Sequence, residues 1–364
     1  MKLECDIEKI KNAISQVERV TGKNLTLPVL SSILFIAVGK SLKLRATNLS
    51  LGVEMEIPAK IEKEGIIAIS GTTLSGIFSN IIQNESVHLE SEEGNLLIKT
   101  KKSKIKIKGQ PHEDFPTIPL VEGKAFEIET KKLVEGIKAV YYSSSPSDIK
   151  PEISSVFIYS KEDNLMFVST DSFRLAEKKI KMKKIEEISG ILIPFKNVPE
   201  ILRIFGETQD SIKVCFNKNQ ISFYSNSIYL TSRIIDGVFP DYHQIIPKEF
   251  KTEAVVLKQD LLNALKLSNI FSDKFNQINL SISPKEKIFE LSSQNNDVGE
   301  NKTYLDSAIK GEDISLSFNY KYFLDCLQSI SSDSISIRLN PSKPIVVSGS
   351  SDNSFTYLIM PMNR

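Results

Sequence analysis

With only three histidines in 364 residues, the chain has little room for acid–base or metal chemistry. His88, His112 and His243 stand far apart, none in a metal-ligand spacing and none beside a nucleophile motif. Cys5, Cys215 and Cys326 are equally scattered and fall inside strand-like or helix-like patterns. They read as small core residues, not as a zinc knuckle or a disulfide framework. No phosphate-binding glycine loop, dinucleotide fingerprint or zinc spacing occurs. No apolar run approaches membrane-spanning length, and the opening MKLECDIEKIKNAI is too often charged for a signal peptide. Net charge is lacking as well, since 46 Lys and Arg meet 45 Asp and Glu. These absences predict a soluble cytoplasmic protein with no catalytic residue, no cofactor and no metal. Asp148, Asp171 and Asp241 sit in turn-like contexts (PSD, TDS, FPDY) and are expected to cap backbone amides.

What the chain does have is a pattern repeated three times. In Phe126–Tyr141 a short extended run and a polar break lead into Leu133, Val134, Ile137, Val140 and Tyr141 on one helical face, with Lys131, Glu135 and Lys138 on the other. The same sequence of features runs through Leu3–Val20, with Ile10, Ile14 and Val17 on the apolar face, and through Ala254–Ile270, with Leu261 and Leu265. The period is roughly 125 residues, the size of a domain. A second helix repeats in step: Leu74, Ile77, Phe78 and Ile81 match Val198, Ile201, Leu202 and Phe205, then Phe323, Cys326, Leu327 and Ile330. Alternating runs follow each helix, among them Pro28–Ala37, Ser41–Ala46, Gly52–Pro58 and Glu152–Tyr159. Each unit is therefore expected to be an α+β domain, two helices packed on antiparallel sheets, with boundaries at 1–121, 122–249 and 250–364. Proline-bearing segments, DFPTIP (Asp114–Pro119) and FPDYHQIIP (Phe239–Pro247), join the units.

Charge is unevenly spread although it sums to little. The six expected helices hold eleven basic residues against six acidic ones, leaving strands and loops net acidic. The run KSKIKIK (Lys102–Lys108) alternates strictly with lysine outward, which suits either an edge guarded against sticking or a seam that accepts an acidic partner edge.

Three segments, STDSFRLA (Ser169–Ala176), LTSRIIDGVFPDY (Leu230–Tyr242) and YLIMPMNR (Tyr357–Arg364), together resemble the bacterial sliding-clamp family, the beta subunits of DNA polymerase III. The resemblance implies three clamp domains per chain and a head-to-tail homodimer closing into a six-domain ring around duplex DNA, helices inward. It implies a processivity factor without an active site. The partners implied are duplex DNA, a second copy of the chain, the polymerase III catalytic subunit, an ATP-driven clamp loader, and other polymerases and repair proteins, with no membrane. The alternative is a monomeric nucleic-acid-associated adaptor or enzyme reusing the fold.

By the same resemblance a pocket between the second and third units receives short partner peptides. Its residues would be Ile153, Thr170, Ser172, Phe173, Arg174, Leu175, Pro240, Gln244, Ile245, Phe275, Asn319, Tyr322, Val346, Leu358, Met360, Pro361 and Met362. Ser172 and Phe173 stand where the family usually has glycine and histidine or another aromatic, Gln244 replaces a common arginine, and the ending Asn363-Arg364 differs from its frequent arginine-leucine. DNA would be faced by Lys9, Arg19, Lys23, Asn24, Lys131, Lys138, Lys150, Lys196, Arg203 and Lys266. Pro151 and Glu152 stand at aromatic positions, and Asn24 where arginine is common. For the dimer seam the expectation is Lys104, Ile105, Lys106 and Ile107 against Ile270, Phe271, Asp297 and Glu300.

Overall fold

The computed structural model describes residues 1–24, 26–81, 86–183, 187–207 and 210–362, so the Asn363-Arg364 ending lies outside the described residues. In chain order the first third carries β1 (Lys2–Asp6), α1 (Ile7–Glu18), β2 (Ser32–Val38), β3 (Ser41–Thr47), β4 (Leu51–Lys63), β5 (Gly65–Ser70), α2 (Gly71–Asn80), β6 (Ser86–Glu92), β7 (Asn95–Lys99) and β8 (Lys104–Lys108). The middle third carries β9 (Lys124–Glu129), α3 (Thr130–Val140), β10 (Ser155–Lys161), β11 (Asn164–Thr170), β12 (Arg174–Lys181), β13 (Ile191–Pro194), α4 (Val198–Phe205), β14 (Ser211–Phe216), β15 (Gln220–Ser225) and β16 (Ile228–Arg233). The last carries β17 (Thr252–Leu257), α5 (Lys258–Ile270), β18 (Gln277–Ser283), β19 (Ile288–Asn295), β20 (Gly299–Tyr304), β21 (Ser307–Gly311), β22 (Ile314–Asn319), α6 (Tyr320–Leu327), β23 (Ser334–Leu339), β24 (Ile345–Gly349) and β25 (Phe355–Ile359).

The helices form where an apolar stripe meets a cap. Asp6 accepts a hydrogen bond from the Lys9 amide at the start of α1, and Ile7, Ile10, Ile14 and Val17 bury one face. Asn319 caps α6 through the Lys321 amide, and Phe323, Cys326 and Leu327 go inward. Each such side chain contributes about 1.5–3 kcal/mol by burial, so truncating Ile14 to alanine would cost about 2–5 kcal/mol. In α4 the inward set includes Ile204 beside Val198, Ile201 and Phe205, whereas Leu202 is half-buried. Cys5 and Cys326 are buried and all three thiols are free. Burial, with Asp6 and Glu4 adjacent, pushes the Cys5 thiol up to about 12.

Two compact units result, Met1–Lys131 with Pro199–Ile234, and Lys132–Val198 with Ile235–Arg364. Within the first, one sheet runs β8-β7-β6-β1-β4-β16-β15-β14-β9, and β3, β2 and β5 continue from β4. Within the second, one sheet runs β13-β10-β11-β12-β25-β24-β23-β17-β21 and another runs β20-β19-β18-β22. The repeat is now visible as topology. The orders β5-β2-β3-β4, β13-β10-β11-β12 and β22-β18-β19-β20 are one motif, and β8-β7-β6-β1, β16-β15-β14-β9 and β25-β24-β23-β17 are another. Successive repeats are stitched by antiparallel pairing of β4 with β16 and of β12 with β25.

Several expectations shift locally. Pro28–Ser31 forms a helical turn, so that strand starts only at Ser32; proline at its first position has no amide to give a ladder. The lysine-rich strand starts at Lys104, because the Thr100 hydroxyl draws the Lys102 and Ser103 amides into a turn. Among the described residues no helix is long and apolar enough to cross a membrane.

Candidate functional site

In the second unit, the sequence Thr170-Asp171-Ser172-Phe173-Arg174 folds back on itself between β11 and β12. Asp171 Oδ1 accepts from the amides of Phe173 (2.9 Å) and Arg174 (3.0 Å), and the Thr170 hydroxyl donates to the Arg174 carbonyl (2.6 Å) while accepting from the Ser172 amide (3.2 Å). The expected capping role of Asp171 is thus realised. The reversal forces Ser172 to a φ of 77°, a left-handed conformation that glycine adopts more cheaply. Ser172→Gly should therefore raise stability by up to about 1 kcal/mol, part of the relief being offset by glycine's unfolded-state entropy. The check is a urea midpoint at unchanged slope, and a clear loss of stability would mean the serine side chain has a supporting role.

Around the turn lie most of the residues expected to receive a peptide. On β12, β25 and β24, Leu175 lies opposite Leu358 and Leu358 opposite Val346, a cross-strand row that is fully buried and joins Phe239 and Tyr242 in one apolar cluster. These three residues are core and would offer a ligand little surface. Others of the set are open to solvent: Phe173 is 61% exposed, Phe275 57% and Met360 38%, with Ile245, Pro240 and Gln244 also exposed. Gln244 directs its amide to Asp241 at 2.7 Å, whose other oxygen caps the His243 amide. Pro361, Met362, Asn319 and Tyr322 are half-buried. The terminal segment is tied down by two backbone bonds, Met360 N to the Phe173 carbonyl (2.8 Å) and Met362 N to the Ser317 carbonyl (2.7 Å). Ile153 is buried in the preceding loop, its carbonyl accepting from the Ser145 amide.

Arg174 is occupied. Its guanidinium bonds Asp171 (2.9 Å), Asp325 and the Tyr142 carbonyl (2.7 Å), and it stacks on the Tyr322 ring at 4.8 Å. It therefore positions the turn and Tyr322 and has no open fork for a ligand. A buried polar pair was missed from sequence. Tyr242 donates to Glu177 at 2.5 Å and lies 2.7 Å from the Tyr159 hydroxyl. Burial, then the Glu177 charge, pushes the Tyr242 phenol far above its ordinary value. The available signal was Glu177 itself, a carboxylate within a strand whose residues Leu175, Ala176, Glu177 and Lys178 are all buried.

The basic residues divide into two groups. Lys9, Arg19, Lys23, Lys131, Lys138, Lys150 and Lys266 are exposed. Lys196 pairs with Asp148, which is thereby an ion-pair partner and not the turn cap expected. Arg203 is held by Glu200 and by the Gln16 carbonyl, so it links α4 to α1 within the first unit instead of offering a free cation. Asn24 Oδ1 is likewise used, accepting from Thr26 and Leu27 amides.

Two sheet edges complete the inventory, each described in its own unit. β8 ends the first sheet with Lys104, Lys106 and Lys108 exposed, Ile105 half-buried and Ile107 buried. β20 ends the four-stranded sheet, presenting Glu300, with Asp297 exposed in the preceding turn; Ile270 is 60% exposed and Phe271 half-buried. Among the described residues no group of three or more His, Cys, Asp or Glu could hold a metal.

Comparison with known proteins places these features in a family. Three models match in order: the DNA polymerase III beta subunit N-terminal domain over residues 1–119, its central domain over 127–241 and its C-terminal domain over 243–363. The chain is 28% identical to the beta sliding clamp of Synechococcus elongatus over 371 aligned residues, covering 100% of this chain and 99% of that one. The DNA polymerase sliding clamp of Bacillus subtilis superposes with a TM-score of 0.95 at 24% identity, over 100% of this chain and 99% of that structure. The beta subunit of DNA polymerase III from Thermotoga maritima does so at 0.93 and 25% identity, with the same coverage.

Proposed function

Given that the chain belongs to the DNA polymerase III beta subunit family, we propose that it acts as a DNA sliding clamp, a processivity factor that holds the replicative polymerase on duplex DNA in the cytoplasm. The observation that carries the reading is the pair of leftover edges. Inside the chain, the strand that follows the tight turn of one repeat pairs with the last strand of the next, β4 with β16 and β12 with β25. The third repeat's counterpart, β20, and the first repeat's last strand, β8, each end their sheet. A second copy supplies both missing partners at once, and two such head-to-tail joints close on a twofold axis. Three repeats of 1–121, 122–249 and 250–364 then become six in the dimer.

In that assembly Lys9, Arg19, Lys23, Lys131, Lys138, Lys150 and Lys266 would face DNA. A distributed set of exposed lysines suits sliding, because a tight cluster of phosphate contacts would trap the ring and make binding fall steeply with salt. Retention would come from topology, and no chemistry is asked of the chain. Opening the ring would fall to a clamp loader, and the Phe173–Met360 pocket would receive peptides from the loader, the polymerase III catalytic subunit, other polymerases and repair proteins. Flexible Met360 and Met362 on an open rim suit a site that must fit several apolar anchors.

The test is loading onto circular DNA. Loaded protein should survive a high-salt wash and leave quickly once the circle is cut; equal loss from circular and linear DNA would overturn the reading. Replacing Lys138 and Lys150 together by alanine should lower the salt slope of direct DNA binding by about 2. Arg203 is the wrong residue for that experiment, because its guanidinium already bonds within the protein.

A further inference from the structure

The turn that frames the Phe173–Met360 pocket has a twin in the first unit. Aligning ATNLSLGVEM (Ala46–Met55) with STDSFRLAEK (Ser169–Lys178) sets Thr47 on Thr170, Asn48 on Asp171, Leu49 on Ser172 and Gly52 on Leu175. The hydrogen bonds coincide. The Thr47 hydroxyl donates to the Leu51 carbonyl (2.9 Å) and accepts from the Leu49 amide (3.0 Å), and Asn48 Oδ1 accepts from the amides of Ser50 (3.0 Å) and Leu51 (2.8 Å). Leu49 is left-handed at φ 72°, as Ser172 is at 77°. Beyond the turn, the Arg233 amide donates to the Ser50 carbonyl at 2.8 Å, the bond that Met360 makes to Phe173. Phe115-Pro116 stands where Phe239-Pro240 does.

A cavity of about 200 Å³ opens at this twin, lined by the turn, by Pro116–Pro119 and by Gln220, Thr231 and Arg233. Its chemistry is different. Where the other pocket has Leu175, Leu358 and Met360, this one has Gly52, Thr231 and Arg233. A Cβ on Gly52 would come within 3.2 Å of the Ile118 side chain, which would have to give by a few tenths of an ångström. Arg233 is the sole charged side chain in the lining, is exposed, and among the described residues its guanidinium has no ion pair. Gln220 lies directly opposite it on β15. An unpaired fork with an amide beside it, at the mouth of a cavity bearing hydroxyls, matches a carboxylate.

We propose that this cavity is a second recognition site, taking an acidic peptide segment whose carboxylate sits on Arg233 and whose neighbouring polar residues enter the cavity. The peptide class rests on the reading of the Phe173–Met360 pocket as a peptide site; the preference for a carboxylate rests on Arg233 alone.

The experiment uses the full-length protein and a capped pentapeptide alternating serine and glutamate, followed by saturation-transfer NMR. A saturable signal is expected, weakened about tenfold when glutamine replaces glutamate in the peptide or when the protein carries Arg233→Ala, and partly restored by Arg233→Lys. An apolar clamp-binding peptide at saturation should leave that signal unchanged. No binding, equal binding of the glutamine peptide, or an indifferent Arg233→Ala variant would overturn the proposal. So would displacement by the apolar peptide, which would move the acidic one to the other pocket, or by duplex DNA, which would assign Arg233 to phosphate. Titrating the apolar peptide alone tests the Phe173–Met360 pocket independently, so the two readings can fail separately.

Discussion

Deleting residues 360–364 should weaken binding of a labelled clamp-binding peptide on the order of a hundredfold while leaving the dimer intact. A short peptide held at about micromolar strength has only about 8 kcal/mol in all, and the rim residues Met360, Pro361 and Met362 could supply about 2–3 of it. Two backbone bonds are lost as well, from Met360 to Phe173 and from Met362 to Ser317. Each is worth about 1 kcal/mol, so melting should fall by no more than a few degrees. The buried floor of Leu175, Val346 and Leu358 stays in place, because Leu358 lies on β25 upstream of the cut. A fluorescence titration of intact and truncated protein decides the matter. Unchanged affinity would remove the terminus from the site, and a collapsed dimer would make it structural.

Replacing Lys104 and Lys106 by glutamate should halve the mass in solution. Light scattering of the native protein is expected to give roughly twice the 40.8 kDa chain at micromolar concentration. On β8 these lysines are exposed, while Ile107 turns inward and anchors the strand, so the substitutions leave the core untouched. The partner edge proposed for them carries Glu300 and Asp297. Like charges facing across a join cost several kcal/mol, enough to raise the dissociation constant more than a hundredfold. Lysine at Glu300 in the same chain should restore the dimer in part. A double glutamate variant that keeps the native mass would place the seam elsewhere, and a native monomer would count against the ring itself.

Much of this was legible before any coordinates. The helices could be read because helix formation depends on residues three and four apart, as Ile10, Ile14 and Val17 show, and the turn at Asp171 because an aspartate caps amides two and three residues on. The family resemblance suggested candidate pocket residues one by one. Burial separated them, since which side chains of a strand face inward depends on register with neighbours far along the chain. Leu175 meets Leu358 across such a join and is buried, whereas Phe173 and Met360 stay exposed.

Charge was the least legible property. Arg203 read as a cation facing DNA and Arg174 as a pocket residue, yet one is held by Gln16 and Glu200 and the other by Asp325, Asp171 and Tyr142. A guanidinium's partners lie wherever the fold brings them, and no local pattern names them. Arg233 shows the converse, an unremarkable strand-end residue that only the pairing of β16 with β4 and β15 places at the mouth of a cavity. The sequence alone determined the three repeats and their helices, because local periodicity carries those. Tertiary structure alone decided which repeats are stitched by a strand pair, which edges are left open and which charges remain unspent, because strand pairing and ion pairing join residues that the chain keeps far apart.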